Sequence, residues 1–172
     1  MIIYDLYLKY FNPIKYARKK GVKIGEKCRI VESPKWGSEP WLIEIGNHVE
    51  ISFQCAFITH DGATWTFRDK DRYKNVIRFS RIRIGDNSFI GARTIIMPGV
   101  TIGNDVIVGA GSLVTKSIPS GEIWGGVPAK YITSVMEYAE KCLRETPNYD
   151  IKKYKDNFRE EVLRICDMNE EE

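Results

Sequence analysis

The sequence predicts a parallel β-helix flanked by helical segments, and two observations lead to this prediction. Six hexapeptides follow one another from residue 84 to residue 119, and each begins with Ile or Val, as at Ile84, Ile90 and Ile96. The fifth position of each hexapeptide holds a small or β-branched residue. This period matches neither a helix, at about 3.6 residues, nor a flat strand, at about two. It matches a solenoid whose short strands stack and direct aliphatic side chains into the axis.

The same repeat extends upstream with two interruptions. Hexapeptides begin at Ile24, Ile45 and Ile51, and insertions at 33–41 and 59–83 break the register. A solenoid accommodates an insertion only as a loop that leaves one corner, because the coils above and below must still stack. Loops on a rigid scaffold often carry binding residues. We therefore predict a β-helix domain over 22–132, with the functional site near the insertion at 59–83.

Both ends of the chain predict helices. Residues 1–21 form an N-terminal helical segment, with an amphipathic helix over 3–20 that Pro13 interrupts. This segment would cap one open end of the solenoid; an alternative is that its basic and aromatic side chains bind a membrane surface. Residues 133–172 predict C-terminal α-helices at 133–145 and 151–168, the second with an apolar stripe.

Length and composition indicate one domain with appendages. The chain has 172 residues, 43% of them hydrophobic, and a net charge of only +3, which gives no indication of a nucleic-acid partner. Neither a signal peptide nor an apolar stretch long enough to span a bilayer is visible in the sequence. The cysteines show no paired spacing, which favours reduced thiols in a cytoplasmic protein, at the inner face of the membrane if the N-terminal helix binds lipid. They are Cys28, Cys55, Cys142 and Cys166.

A short motif follows the last hexapeptide, and its sequence is Gly125-Gly126-Val127-Pro128-Ala129-Lys130. With the repeats, this motif resembles the hexapeptide-repeat acyltransferases, in particular the branch of maltose, galactoside and xenobiotic acetyltransferases and surface-polysaccharide O-acetyltransferases. The resemblance covers residues 24–132. It implies a left-handed parallel β-helix, a homotrimer with active sites between subunits, and acetyl-coenzyme A as co-substrate. No cluster of metal-ligand residues is visible, so we expect no metal.

The chain contains two histidines, and only one of them stands at a break in the repeat. His48 is the fourth residue of an ordinary hexapeptide, where we expect a solvated turn. His60 begins the second insertion, and in the resembling enzymes a histidine at this position is the general base. An imidazole suits this role because it can take the proton of a sugar hydroxyl, which is a poor nucleophile by itself. His60 is therefore the predicted catalytic residue.

Two partners of His60 stay open at the level of sequence. A carboxylate or a carbonyl should hold one ring nitrogen so that the other faces the acceptor. An oxyanion donor is also required, and we expect a backbone N–H near Gly91 and Ala92. The candidates for the orienting carboxylate are Glu44, Glu50 and Asp61.

The resemblance implies that coenzyme A contacts residues on the later coils, with one lysine close to the nucleotide phosphates. These cofactor-binding residues are Ala92, Ala110, Thr115, Lys116 and, near the phosphates, Lys130. The second insertion combines aromatic residues with a local excess of basic ones, which predicts an anionic saccharide acceptor, such as a sugar nucleotide or a lipid diphosphate-linked saccharide. The predicted substrate-binding residues are Asp61, Trp65, Phe67, Arg68 and Arg78.

These observations predict an acetyltransferase that moves an acetyl group from acetyl-coenzyme A to a sugar hydroxyl in cell-surface polysaccharide biosynthesis. N-acetylation of an amino sugar or an aminated antibiotic uses the same base, cofactor and fold, and stays open. A trimeric scaffold without activity is the non-enzyme alternative. A β-helical carbonic anhydrase needs three histidines on zinc, and the presence of only two histidines in the chain argues strongly against this class.

Overall fold

The computed structural model describes residues 2–170, and these residues divide into two compact units, with the boundary between Val135 and Met136. Met1, Glu171 and Glu172, at the ends of the predicted helical segments, lie outside the described residues. The first unit carries all of the strands described. They are β1 (Lys23–Ile24), β2 (Arg29–Ile30), β3 (Ile43–Ile45), β4 (Glu50–Ile51), β5 (Ala56–Phe57), β6 (Ile82–Ile84), β7 (Phe89–Ile90), β8 (Ile95–Ile96), β9 (Thr101–Ile102), β10 (Ile107–Val108), β11 (Leu113–Val114), β12 (Glu122–Gly126) and β13 (Ala129–Ser134).

Successive strands belong to three different sheets, as a β-helix requires. Sheet one has the order β1-β3-β6-β9, sheet two has β13-β12-β10-β7-β4-β2, and sheet three has β11-β8-β5. Pairing is parallel except in the terminal β12–β13 hairpin. The first positions of the hexapeptides face each other from coil to coil, as Ile45, Ile84 and Ile102 do in sheet one. The predicted parallel β-helix is therefore confirmed.

The solenoid interior is filled by the first and fifth hexapeptide positions. The first-position side chains Ile90 and Ile96 are fully buried, and the fifth-position side chains Thr94 and Val106 are as well. Burial of one such aliphatic side chain stabilises the fold by about 1.5–3 kcal/mol. A long side chain does not fit at the fifth position, because it stands beside the coil corner; small thiol and hydroxyl groups occur there, as at Cys55.

The last predicted hexapeptide, 114–119, is wrong in register. Ile118 forms a parallel bridge with Ile102, a first-position residue, and is 2% exposed. The chain thus passes from Val114 to Ile118 in four steps instead of six. The hydroxyl of Ser117 accepts a hydrogen bond from the N–H of Thr101 at 3.0 Å, which secures the shortened turn against the coil below.

One corner of the solenoid, between sheets one and two, is closed by a ladder of side-chain acceptors at the third hexapeptide position. Each acceptor takes a backbone N–H of the preceding coil, so one donor of each turn is satisfied by a side chain. The bonds are Glu26 to Asn47 (2.9 Å), Asn47 to Asp86 (2.6 Å), Asp86 to Asn104 (2.8 Å) and Asn104 to Ser120 (2.9 Å). His48 lies beside this ladder with a φ of 53° and contacts Asn87 at 2.7 Å, which agrees with its predicted turn position.

Two helices precede the first coil: α1 (Ile2–Phe11) and α2 (Pro13–Lys20). The break falls at Asn12, whose side chain caps α2 by accepting the N–H of Lys15 at 3.0 Å. Ala17 of α2 is completely buried in the solenoid core cluster. No described helix is long and apolar enough to cross a membrane. Binding of this segment to a membrane surface stays a prediction.

The C-terminal helices are α3 (Val135–Glu145), α4 (Ile151–Asp156) and α5 (Phe158–Glu170). The predicted helix over 133–145 begins two residues later, because Thr133 and Ser134 continue strand β13. The predicted helix over 151–168 is divided at Asn157, which ends α4.

Coil stacking predicts different effects of one substitution at two equivalent glycines. A Cβ on Gly91 would lie 2.5 Å from the Ala110 nitrogen and 2.7 Å from the Val108 oxygen, whereas a Cβ on Gly109 meets nothing closer than the Trp124 oxygen at 3.6 Å. We expect Gly91→Ala to lower the melting temperature by about 5 °C or more, since backbone atoms must move. Gly109→Ala is the matched control and should leave it nearly unchanged. Equal melting temperatures for the two variants would contradict this stacking.

Candidate active site

His60 lies where the second insertion leaves the solenoid, directly beyond strand β5. The insertion returns antiparallel to its own start, with a bridge between His60 and Phe79. Two backbone hydrogen bonds flank this bridge: the N–H of Asp61 donates to the carbonyl of Arg78 (3.0 Å), and the N–H of Ser80 donates to the carbonyl of Thr59 (2.9 Å). The Phe79 ring lies 5.7 Å from the imidazole. His60 is therefore held by backbone pairing on both sides, although it begins a long loop.

The orienting group of His60 is Glu39, from the first insertion. Its Oε2 lies 2.9 Å from His60 Nδ1 and accepts a hydrogen bond from the Thr59 hydroxyl at 2.7 Å. The Glu39 side chain is 16% exposed, and the imidazole is 38% exposed. The carboxylate is thus largely shielded from solvent, while part of the imidazole faces outward.

The first insertion reaches this position because it stays close to strand β5. The backbone carbonyl of Lys35 accepts a hydrogen bond from the N–H of Phe57 at 2.8 Å. The Trp36 ring stacks on the Phe57 ring with centroids 5.0 Å apart. Gly37 then turns with a φ of +72°, where a Cβ would lie 3.0 Å from the Phe57 oxygen. A side chain at this position would be strained and crowded, so glycine allows the approach that brings Glu39 to His60.

The surroundings of Glu39 determine which ring nitrogen carries the proton. The Thr59 hydroxyl, followed by the His60 imidazole, lowers the pKa of the Glu39 carboxyl below its ordinary value of 4.5. An ionised carboxylate only accepts hydrogen bonds, so Nδ1 must donate, and in the neutral ring Nε2 is the unprotonated nitrogen. No residue within 2–170 forms a hydrogen bond with Nε2. The arrangement presents a proton acceptor, as a general base requires.

None of the three predicted orienting carboxylates contacts His60. Glu44 lies in β3 and Glu50 in β4, where they pair with basic residues of their own region. These pairs are Lys23–Glu44 (3.1 Å), Arg81–Glu44 (3.2 Å) and Arg29–Glu50 (3.4 Å). Asp61 follows His60 in extended chain and points away; it caps the 3-10 helix Gly62–Phe67 through the N–H of Ala63 at 3.0 Å.

The repeat spacing indicates where the insertion that carries Glu39 leaves the solenoid. Ile24, Ile30 and Trp36 are six residues apart, and Trp36 is 5% exposed at the place opposite Phe57. The register therefore runs to Trp36, and the predicted break at residue 33 is too early. Both insertions then leave the same corner, between sheets three and one, on successive coils. A carboxylate in one insertion thus lies beside a histidine in the other.

Four of the five predicted substrate-binding residues contact other residues of the second insertion. The loop contacts are Arg68 Nε to the Val76 oxygen (2.9 Å), Arg68 Nη2 to Thr64 Oγ1 (2.7 Å), Arg78 to Asp61 (3.5 Å) and Phe67 edge-on to Tyr73 (5.8 Å). Arg68 and Arg78 therefore have roles within the loop. Trp65 differs, because 80% of it is exposed to solvent. Contact of these residues with an acceptor stays a prediction.

The predicted coenzyme A residues Ala92 and Ala110 occupy the third hexapeptide position on successive coils, at the corner that precedes sheet three. No described residue accepts a hydrogen bond from the backbone N–H of either alanine. This corner thus lacks the side-chain acceptors that occupy the corner with the Asn and Asp ladder. The N–H of Gly91 is used in coil pairing with Val108 at 2.8 Å, so of the two sites considered for an oxyanion donor only Ala92 is open.

The remaining predicted cofactor residues lie on exposed surface of the first unit. Thr115 and Lys116 follow strand β11, at the turn that leads to Ile118. Lys130 lies in β13, opposite Gly125 of the terminal hairpin. Within residues 2–170 no group of three or more His, Cys, Asp or Glu side chains could hold a metal ion.

Comparison with known proteins gives the family of the chain. The family described as "Bacterial transferase hexapeptide (six repeats)" matches residues 81–116. Protein CapG of Staphylococcus aureus is 49% identical over 143 residues, which cover 79% of this chain and 82% of CapG. Galactoside O-acetyltransferase of Escherichia coli is 48% identical over 54 residues, which cover 31% of this chain and 27% of that enzyme.

A solved structure agrees with these sequence matches. The maltose O-acetyltransferase of Clostridium difficile superposes with a TM-score of 0.53 and 25% identity, over 70% of this chain and 73% of that chain. The chain belongs to the hexapeptide-repeat acetyltransferase family, and this membership implies the left-handed sense of its β-helix. The resemblance stated from the sequence is therefore confirmed, and the chain is an acetyltransferase.

Proposed function

We propose that this acetyltransferase moves an acetyl group from acetyl-coenzyme A to a sugar hydroxyl in the biosynthesis of a cell-surface polysaccharide. The observation that carries the proposal is the Glu39–His60 pair, which leaves Nε2 unprotonated at the mouth of the second insertion. Similarity to a galactoside and a maltose O-acetyltransferase supports an oxygen nucleophile on a saccharide.

In the proposed reaction, His60 Nε2 takes the proton of the acceptor hydroxyl as its oxygen attacks the thioester carbonyl. The Glu39 carboxylate stabilises the resulting imidazolium through Nδ1–H and keeps the ring oriented. When the tetrahedral intermediate collapses, the carbon–sulfur bond breaks and the imidazolium returns its proton to the departing thiolate. The products are the acetyl ester and free coenzyme A, so no proton is gained or lost overall.

For coenzyme A, we propose binding along the corner that carries Ala92 and Ala110. Their two free N–H groups are suited to the amide and thioester carbonyls of the pantetheine arm, which offers acceptors at intervals along an extended chain. Thr115 and Lys116 continue the same surface toward the C-terminal coil. Lys130 would contact the nucleotide phosphates, for which a lysine is a flexible point charge.

We further propose a homotrimer with active sites between subunits. Within one subunit, Ala92 precedes sheet three, whereas His60 follows it. The proposed cofactor corner and the proposed base thus lie at different corners of the same coil stack. A site that uses both groups is more readily completed by two neighbouring subunits, with the cofactor on one and the base on the other.

Removal of the imidazole tests the proposed chemistry. We expect His60→Ala to lower turnover about 100-fold or more, with coenzyme A affinity nearly unchanged, because the base acts only in the transition state. Acetyl-coenzyme A-dependent thiol release, measured with neutral, amino and anionic sugars, reports both the reaction and the acceptor class. His48→Asn is the matched control, since it changes the other histidine at a left-handed turn that asparagine tolerates.

Three outcomes would oppose the proposal. A near-normal rate for His60→Ala would remove this residue as the base. Thiol release with amino sugars alone would make the protein an N-acetyltransferase. Absence of both coenzyme A binding and thiol release would leave only the scaffold role.

Removal of one backbone donor tests the proposed cofactor corner. Ala110→Pro deletes an N–H at a hexapeptide position where the chain already carries proline, at Pro98. We expect the coenzyme A dissociation constant to rise about tenfold, the scale of one lost hydrogen bond. Ala110→Ser keeps the N–H and serves as the control in the same titration. Equal affinities of the two variants would place the cofactor elsewhere.

A further inference from the structure

The first unit contains a large cavity that none of the predicted site residues lines. Its volume is about 1010 Å³, which is at the upper end of small-molecule sites, about 300–1,000 Å³. Its walls come from α1 and α2, from the first insertion and from the outer side of sheet three. Representative residues of these three walls are Tyr10 and Lys20, Trp36 and Trp41, and Ala56 and Ile95.

Positive charge dominates the cavity lining. Lys9, Lys20, Lys35 and Arg93 line it, against a single acidic residue, Glu32. Lys20 is balanced by Asp5 at 3.7 Å. Lys9 and Lys35 form no ion pair with any described residue. Among the described residues, the Arg93 guanidinium forms one hydrogen bond, from Nε to Gln54 Oε1 at 3.0 Å. Three cationic groups are therefore free to bind an anion.

The cavity also has aromatic walls with an unused hydrogen-bond donor. Tyr10, Tyr16, Trp36 and Trp41 line it, and such rings present apolar faces with polar edges. The indole Nε1 of Trp36 is buried and has no hydrogen-bond partner within the described part of the chain. The aromatic walls therefore offer ring faces on which an apolar or aromatic part of a ligand can pack.

The cavity adjoins the catalytic candidates. Gly37, Ser38 and Pro40 line it and flank Glu39, which holds His60. A ligand in the cavity therefore lies along the segment that positions the base. We propose that this cavity binds the acceptor saccharide through a diphosphate group, an inference that rests on the function proposed above.

The distribution of cationic residues in the cavity is the reason for proposing a diphosphate group. The free cations come from different elements, with Lys9 on α1 and Lys35 and Arg93 on the solenoid, so a single monoanionic group would leave most of them unmatched. Lysine binds phosphate as a point charge, and the arginine fork can bind two oxygens at once. The aromatic walls and the volume accommodate the group that the diphosphate links to the sugar, either a nucleoside or a lipid.

Binding without acetyl-coenzyme A separates this inference from the proposed function. The probes for calorimetry are uridine diphosphate glucose, inorganic pyrophosphate and glucose. We expect the first two to bind and glucose not to bind. Lys35→Gln and Arg93→Gln should each weaken the diphosphate probes about tenfold, the scale of one charged contact. Lys27→Gln is the matched control, since Lys27 lies on the same coil as Lys35 but does not line the cavity.

A second arm distinguishes the two sources of a diphosphate. Phosphatidylcholine vesicles with and without a polyprenyl-diphosphate saccharide are tested for binding by flotation. Selective binding to the loaded vesicles, weakened by Lys35→Gln, would identify a lipid-linked acceptor; binding of the nucleotide sugar alone would identify a nucleotide-linked one. Absence of binding to every diphosphate probe, or equal affinity in the Lys35, Arg93 and Lys27 variants, would overturn the inference. Thiol release with a neutral sugar in that case would leave the proposed acetyl transfer intact.

Discussion

Parallel pairing between successive coils is the interaction on which the rest of this structure depends. Where strands stack about 4.8 Å apart, some second hexapeptide positions have no room for a Cβ, and Gly91 is an example, since its ideal Cβ would lie 2.5 Å from a backbone nitrogen of the next coil. The same pairing forces every insertion out at a corner. Because both insertions leave between sheets three and one, on adjacent coils, Glu39 and His60 meet across 21 residues of sequence.

The corners of the solenoid differ in what they offer to a ligand. The ladder from Asn47 to Ser120 occupies the backbone donors between sheets one and two, so that corner serves stability. Alanine at the equivalent positions before sheet three, Ala92 and Ala110, provides no side-chain acceptor for these donors, and this is the corner proposed for the cofactor. The third corner carries the insertions, and hence the proposed base, His60. The proposed site therefore depends on a few positions that depart from the repeat: the alanines at one corner and the insertions at another.

The sequence was sufficient to predict the coil stack and to place His60 at the start of the second insertion, but not to predict the residues around His60. Regular spacing reports burial directly, so the cores of β7 to β11 could be derived from Ile and Val positions. Trp36 was missed because an aromatic residue replaced the expected aliphatic one, and Ile118 because a turn lost two residues. The contact of Glu39 with His60 could not be predicted from the sequence, because an insertion has no periodicity. The position of Glu39 depends on Gly37 and on stacking between Trp36 and Phe57.

The central claim is that Glu39 holds His60 with its proton on Nδ1 and leaves Nε2 free to act as the base. The chain has only two histidines, so His48→Asn leaves a single imidazole whose ring nitrogens can be observed by long-range ¹H–¹⁵N correlation NMR. In the neutral form, the account predicts an unprotonated Nε2 and a protonated Nδ1, with loss of this preference when Glu39→Gln is added. A protonated Nε2 in the parent variant, or a tautomer unaffected by Glu39→Gln, would contradict it.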